Sequence, residues 1–125
     1  MIKKIPDAEL KIMKFIWGKN EEVSSKEVIA AMEQQLAWKQ TTTLTLLGRL
    51  VKREFLNAEK MKRFTYYTAI IGETEYKIFE TKNFFERIHD DSTESMMAAL
   101  YAGNILSKKT FESFKKIFSS TEEDE

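Results

Sequence analysis

The chain has 125 residues, of which 42% are hydrophobic and 32% are charged, and it contains no cysteine. This size and composition predict one domain, or one small domain with an appendage, built around a modest core. The lack of cysteine excludes disulfide bonds, thiolate metal sites and cysteine nucleophiles. No stretch approaches the roughly 18 apolar residues of a membrane span, and the first residues lack the apolar run of a signal peptide. We therefore expect a cytoplasmic protein without membrane insertion.

The net charge of zero hides an uneven distribution along the chain. Residues 1–72 carry 13 basic and 8 acidic residues, whereas residues 73–125 carry 7 basic and 12 acidic residues. Residues 38–63 alone hold 7 basic and 2 acidic residues. This asymmetry indicates an anionic partner for the first part of the chain. An unevenly charged but merely solvated surface is the alternative.

Two helices are predicted at the start of the chain. The first begins near Pro6, carries Asp7 and Glu9 where a helix dipole favours acids, and is expected to end at Gly18. A second helix opens at the S-x-x-E spacing of a capping box, with Ser24 and the glutamate three residues later.

The segment QTTTLTLLGRL at residues 40–50 is rich in threonine, which favours strands over helices. As a strand, however, it would place leucines on both faces. On a helical wheel of about 100° per residue, residues 41–54 separate into a polar side and an apolar side, so a helix is the better interpretation. The polar side holds Thr41, Thr42, Thr45, Arg49, Lys52 and Arg53, and the apolar side holds Thr43, Leu44, Leu46, Leu47, Leu50 and Val51.

The polar side of this third helix has the chemistry of a DNA-contacting surface. A threonine hydroxyl can bond a phosphate or a base edge, and its methyl can touch a thymine methyl. Arg49 and Lys52 suit phosphates or a guanine. Gly48 lies at the edge of this side and permits close backbone approach, although it weakens the helix by ~1 kcal/mol. The alternative is an ordinary amphipathic helix with a solvated polar face.

Residues 55–71 place β-branched and aromatic residues around a basic tip, which predicts a two-stranded hairpin. Three more helices follow, so the fold class is mostly α with a small β-hairpin. Three helices and a hairpin are the layout of a winged helix-turn-helix, in which the third helix enters the major groove and the hairpin wing lies along the backbone. The predicted organisation is a winged-helix DNA-binding domain over residues 1–72, a helical region over residues 73–118 and a frayed acidic tail over residues 119–125.

Residues 92–118 predict two short helices with more apolar surface than they can bury against each other. Asp91 with Glu94 is the expected capping box of the first, Gly103 and Asn104 end it, and Ser107 opens the second. Such a surface indicates an interface with a second chain, and folding back onto the winged helix is the alternative. The predicted interface comprises Met96, Met97, Leu100, Tyr101, Ile105, Leu106, Phe111, Phe114, Ile117 and Phe118.

Catalysis has little support in the sequence. His89 is the only histidine and lies near a helix end, where it suits a dipole partner better than a catalyst. The adjacent pair Asp90 and Asp91 is a weak signal for a cation. We therefore expect no enzymatic activity, no cofactor and no metal.

The residues quoted so far form an ordered set of motifs. The start IPDAELKIMKFIW, the string T-x-x-T-L-L-x-R-L from Thr42 to Leu50 and the hairpin motif R-x-x-Y-Y from Arg63 to Tyr67 resemble the penicillinase-repressor family of bacterial winged-helix regulators. The resemblance continues to about Ile117. It implies a homodimeric repressor whose winged helix binds half of a palindromic operator and whose C-terminal helices hold the dimer. It also implies DNA-facing roles for the motif's two threonines and its arginine, Arg49.

Several positions depart from the family pattern. Lys39 and Gln40 stand where members often carry the Ser-Pro pair that caps the third helix, so the cap is expected from Thr41. Thr41 and Leu44 stand where basic residues are common, which predicts a different operator preference.

Two departures concern release from DNA. The resemblance implies a membrane sensor protease as inactivator, but Ala99-Leu100 replaces the Asn-Phe pair that is cleaved in the family, which argues against this partner. Release through C-terminal cysteines, as in copper-responsive members, is excluded by the composition.

The preferred function is a dimeric repressor bound to double-stranded DNA. The alternative is a winged-helix protein-interaction module without specific DNA binding, which would need an apolar or acidic patch on the third helix. The predicted DNA-binding residues are Lys39, Gln40, Thr41, Thr42, Thr45, Arg49, Lys52, Lys60, Lys62 and Arg63.

Overall fold

The structure is a computed structural model that describes residues 2–123, with side-chain surroundings for residues 2–120. These residues fall into a first compact unit that ends at Glu80 and a second that begins at Thr81. In chain order the elements are α1 (Asp7–Lys19), β1 (Val23–Ser24), α2 (Ser25–Leu36), α3 (Gln40–Lys52), β2 (Leu56–Met61), β3 (Phe64–Ala69), α4 (Glu73–His89), α5 (Thr93–Ala102) and α6 (Lys108–Glu123).

The first unit packs α1, α2 and α3 against a three-stranded antiparallel sheet. The strand order is β1-β3-β2, so β3 lies in the centre, with Tyr67 opposite both Val23 and Ala58. The sequence predicted only the β2–β3 hairpin, because β1 has two residues and its partner lies more than 40 positions away in the chain. The largest fully buried apolar side chains are Ile5, Ile12, Met13, Met32, Leu47, Leu50 and Leu56.

The ends of the first two helices are set by local hydrogen bonds. The capping box is confirmed, because the Ser24 N–H donates to Glu27 Oε2 at 2.9 Å and the Glu27 N–H donates to Ser24 Oγ at 3.2 Å. The predicted stop at Gly18 is wrong, because α1 continues to Lys19. Asn20 then adopts the left-handed conformation at φ 56° and ends the helix.

The first part of α4 belongs to the first unit, beyond the predicted boundary at residue 72. The Tyr76 hydroxyl accepts a hydrogen bond from the Ile5 N–H at 2.7 Å and donates one to Glu80 Oε1 at 3.0 Å. The pKa of Tyr76 is raised to about 12, chiefly by burial; the bond from the Ile5 N–H lowers it, and the Glu80 carboxylate raises it. Tyr76 is therefore a buried link between the N-terminal segment and α4, and Phe79 packs beside it on the core.

The helices of the second unit begin and end close to the predicted positions. The cap of α5 is Ser92, whose Oγ accepts from the Ser95 N–H at 3.1 Å, so the predicted box of Asp91 and Glu94 is wrong. Gly103 follows α5 as the C-cap residue, as predicted.

The last helix is longer than predicted. Ser107 opens it as expected, since its Oγ accepts from the Thr110 N–H at 3.1 Å. Helix α6 then continues to Glu123, so residues 119–123 are helical where the sequence predicted a frayed acidic tail. The last two residues of that predicted tail lie outside the described part of the chain.

Candidate nucleic-acid interface

Helix α3 starts without the side-chain cap that the sequence predicted from Thr41. The N-cap residue is Lys39, which has an extended backbone and makes no capping bond with its side chain. The carbonyl of Lys39 accepts the first bond of the helix, from the Thr43 N–H at 3.2 Å. Thr41 instead lies inside the first turn, so the expectation of a Thr41 cap was wrong.

The two sides of α3 are separated nearly as predicted. Thr43, Leu46, Leu47 and Leu50 are buried in the core. This burial fixes the rotation of the helix, because a turn about its axis would bring polar residues into the core. The exposed positions that were predicted to contact DNA are Gln40, Thr41, Thr42, Thr45, Arg49 and Lys52, together with Lys39 just before the helix.

Leu44 departs from the prediction. The sequence placed it on the apolar side, but its side chain is 40% exposed. At about 100° per residue, Leu44 lies near the border of the buried side and only about 60° from Thr41. The helix therefore presents one leucine on the surface that was expected to be purely polar.

The hydroxyl of Thr45 is engaged within the helix. Its Oγ1 donates to the carbonyl oxygen of Thr41, one turn earlier, at 2.8 Å. This back-bond is the reason why a threonine in mid-helix keeps its hydroxyl satisfied while the residue stays exposed. It leaves the methyl group and the acceptor lone pairs of the hydroxyl oxygen for a partner outside the chain.

Arg53 was on the predicted polar side of α3, but its charge is balanced within the fold. Its Nη1 lies 2.7 Å from Oε2 of Glu9, whose side chain is 2% exposed. The sequence assigned Glu9 only to the first turn of α1, where the helix dipole favours an acid, and the structure buries it under this ion pair. Arg53 therefore ties the end of α3 to the start of α1, and its charge is compensated by Glu9 within the fold.

The wing follows α3 after three connecting residues. Strands β2 and β3 pair from Leu56 opposite Ala69 to Met61 opposite Phe64, with Lys62 and Arg63 forming a two-residue turn. The predicted basic residues of the wing, Lys60, Lys62 and Arg63, are all exposed.

One basic residue near the wing was missed by the sequence analysis. Lys26 lies in the first turn of α2, and its Nζ is 5.9 Å from the centre of the Phe64 ring at the wing tip. This distance is that of a cation–π contact. Its signal in the sequence was only a basic residue after a capping serine, and the contact could not be foreseen without the hairpin register.

The second unit exposes most of the apolar residues that were predicted as a dimer interface. Among residues 81–120, His89 is the only buried one. Tyr101 is 70% exposed and Ile105 is 73% exposed. Of the rest of the predicted set, Met97, Phe111, Phe114, Ile117 and Phe118 are exposed, and Met96, Leu100 and Leu106 are half-buried.

His89 and the aspartates after it form no recognisable chemical site. The His89 ring Nδ1 lies 2.8 Å from Ser95 Oγ, and the Phe84 ring meets the imidazole edge-on at 5.3 Å. Asp90 and Asp91 follow with left-handed backbones at φ 49° and 61°. Over the described residues, no group of three or more His, Asp or Glu side chains could hold a metal ion.

Two further predictions concern the surroundings of the protein. Ala99 and Leu100, the pair at the family's cleavage position, lie inside α5, so a protease could cut there only after the helix unwinds. The argument against a sensor protease as partner stays a prediction. None of the helices in the described part of the chain is long and apolar enough to cross a membrane.

Known proteins resemble this chain over most of its length. The sequence profile of the family described as "Penicillinase repressor" matches residues 5–120. The penicillinase repressor of Bacillus licheniformis is 36% identical over 99 residues, which are 77% of each chain. The methicillin resistance regulatory protein MecI of Staphylococcus aureus (strain N315) is 26% identical over 92% of this chain and 93% of its own.

Solved structures resemble the first part of the chain. The DNA binding domain of the repressor BlaI is 39% identical, with a TM-score of 0.55, over 61% of this chain and 92% of that one. The monomeric form of Bacillus licheniformis BlaI in complex with the blaP half-operator is 38% identical, with a TM-score of 0.53 over the same shares. The relatives are thus DNA-binding repressors, and the first part of this chain shares the fold of their DNA-binding domain. With its profile match over residues 5–120, this chain belongs to the penicillinase repressor family.

Proposed function

We propose that this protein is a homodimeric transcriptional repressor that binds a palindromic operator through α3 and the wing. The observation that carries the proposal is the separation of the two sides of α3. Buried leucines fix one side in the core, and the other side presents threonine hydroxyls with Arg49 and Lys52 to solvent. The relatives include a penicillinase repressor and a BlaI structure in complex with a half-operator, which supports the same function. Since operator DNA lies in the cytoplasm, we place the activity there.

Phosphate contacts supply most of the expected affinity. The exposed cations Arg49 and Lys52 lie on α3, and Lys60, Lys62 and Arg63 lie on the wing that follows it. Each phosphate that such a cation neutralises releases counterions, so the logarithm of the affinity should fall with the logarithm of the salt concentration by about 0.9 per contact. Arg53 is left out of this set because Glu9 already neutralises it.

The second unit supports the dimer. Helices α5 and α6 and the connection between them expose aromatic and aliphatic side chains such as Tyr101, Phe114 and Ile105. Exposed apolar surface of this extent is typical of an interface. A two-fold pair would present two copies of α3 to two half-sites about one DNA turn, or a multiple of it, apart.

The function is tested by selecting bound duplexes from a random pool with the full-length protein. We expect an inverted repeat to emerge and Arg49→Ala to weaken binding to it by about 5- to 100-fold. Arg87→Ala, which removes an exposed arginine of α4, is the matched control and should keep the affinity of the unaltered protein. If no sequence is enriched, or if both variants bind equally well, α3 is not the reading element.

The wing and the dimer have separate tests. The double variant Lys62→Ala with Arg63→Ala should reduce the slope of log affinity against log salt concentration by the amount expected for about two phosphate contacts. An unchanged slope would show that the wing is not part of the interface. Light scattering at micromolar concentration should give twice the mass of one chain. A monomer would contradict the homodimer while leaving the DNA-binding surface untouched.

The alternative of a protein-interaction module has one observation in its favour, the exposed Leu44. This leucine stands among threonines and cations rather than within an apolar patch, so it suits DNA better than a protein groove. A competition assay with unrelated duplex DNA separates the two functions. The binding of a module that recognises only protein would not change when this DNA is added.

A further inference from the structure

The exposed face of α3 has two chemically different flanks. Taking about 100° per residue, Thr41, Thr45 and Lys52 lie near the middle of the face. Arg49 lies on one flank. The other flank is formed by Leu44 and, one turn later, by Gly48, which has no side chain. One flank therefore carries a cation, and the other carries an apolar side chain next to a position that has no side chain.

Leu44 is unusual among the leucines of α3. It is 40% exposed, whereas Leu46, Leu47 and Leu50 are buried in the core. On a helix that enters the major groove, an exposed aliphatic side chain meets base edges that carry mostly hydrogen-bonding groups. The C5 methyl of thymine is the apolar group among them. Leu44 is therefore suited to contact a thymine methyl.

The hydrogen bond of Thr45 gives that residue the same preference. Because its hydroxyl proton is donated to the Thr41 carbonyl at 2.8 Å, Thr45 does not offer a donor to the acceptors of guanine in this arrangement. It offers its methyl group and an acceptor lone pair. Thr45 lies about 100° around the helix from Leu44, in the middle of the exposed face, so its methyl is a second apolar group outside the Leu44 flank.

We propose that Leu44 and Thr45 read thymine methyl groups in the operator, so that each half-site carries thymine at the positions facing the Leu44 flank and the middle of the face. The proposal rests on the DNA-binding function proposed above and assigns its specificity to two residues. Arg49, on the opposite flank, serves phosphates or a guanine and takes no part in the methyl contact.

The test uses duplexes in which single thymines of the selected half-site are replaced by deoxyuridine. This replacement removes only the C5 methyl and keeps the base pair. For the unaltered full-length protein we expect one or two positions at which the affinity falls roughly fourfold per methyl removed. Replacement elsewhere in the half-site should have no effect.

Variants of the protein then assign the contact. Leu44→Ala and Thr45→Ser should each abolish the sensitivity at the thymine that the altered residue contacts, and the combined variant should abolish it at every position. Thr45→Ser keeps a hydroxyl that can bond to Thr41. Leu36→Ala is the matched control, because Leu36 is an exposed leucine (36%) at the end of α2. It should retain the full sensitivity. Equal thermal melting of the variants shows that the fold is intact.

The outcomes separate the two proposals. If no duplex is enriched over random DNA, the DNA-binding function itself fails. If a duplex is enriched but no deoxyuridine position changes the affinity, methyl reading is overturned and the DNA-binding function stands. If the sensitivity persists in the combined variant, other residues read the methyl groups and the assignment to Leu44 and Thr45 is overturned.

Discussion

Gly48→Ala should stabilise the protein and weaken its binding to DNA. Gly48 lies in the interior of α3 and is exposed. A Cβ added there meets no protein atom within 4 Å, so the folded chain accommodates alanine without a shift. Alanine is better than glycine in a helix interior by ~1 kcal/mol. For a unit of this size, that gain should raise the melting temperature by about 4–8 °C.

The effect on DNA binding should have the opposite sign. In the free protein the space beside Gly48 is open, and on the proposed interface it is the space into which the DNA comes. A methyl placed in a close contact costs about 1–3 kcal/mol, by comparison with overpacked cores. This corresponds to a loss in operator affinity of about 5- to 150-fold.

The assays are calorimetry or circular dichroism for melting and a fluorescence titration of labelled operator for binding. Gly18→Ala is the control, because Gly18 also lies in a helix and its added Cβ also meets nothing within 4 Å. It should raise the melting temperature, by less than Gly48→Ala since it lies in the last turn, and leave the affinity unchanged. If Gly48→Ala binds as tightly as the unaltered protein, the backbone of α3 does not approach DNA at this point and the helix orientation proposed here is refuted.

Three further predictions concern buried polar groups. Thr43→Val should raise stability by about 1 kcal/mol, because Thr43 Oγ1 is buried without a hydrogen-bond partner among the described residues. A loss of stability would show instead that the hydroxyl is hydrogen-bonded. Arg53→Met should lower the free energy of unfolding, measured with urea, by about 2 kcal/mol. This is less than the roughly 3–5 kcal/mol of a fully buried pair, because Arg53 is half exposed. Lys52→Met is the control and should change stability by under about 0.5 kcal/mol. Because the pKa of Tyr76 is raised from 10.0 to about 12, its stabilising effect should be complete below pH 10 and disappear as the pH rises to 12. Tyr76→Phe should lose less stability across that interval in alkaline denaturation, and equal losses would contradict the raised pKa.

Local signals in the sequence predicted the helices well. The Ser24 capping box, the breaks at Gly103 and Ser107 and the two sides of α3 depend on neighbours within one or two turns, which a single sequence contains. The residues of α3 that the sequence assigned to DNA are exposed for the same reason, because burial of the leucines leaves the other side outward. Their role in binding stays a prediction.

What the sequence did not predict depends on contacts between distant residues. Strand β1 exists because it pairs with β3, and Tyr76 joins the first unit because it bonds to Ile5, 71 positions earlier. The sequence placed Arg53 with the other cations on the polar side of α3, because its buried partner Glu9 lies 44 positions away in the chain. Leu44 sits at the border of two sides of a helix, where the wheel alone cannot decide burial.

On the proposed DNA interface, the two flanks of α3 should contribute parts of the binding energy that respond differently to salt. Contacts of Arg49, Lys52 and the wing with phosphates weaken steeply as salt rises, and they are the same on any sequence. A methyl contact through Leu44 releases no counterion, so its contribution to the affinity should hardly depend on the salt concentration. The ratio of operator affinity to random-DNA affinity should therefore change much less with salt than either affinity does. On the proposed interface, charge should therefore supply most of the affinity, and the apolar contacts of Leu44 and the Thr45 methyl should supply the selectivity.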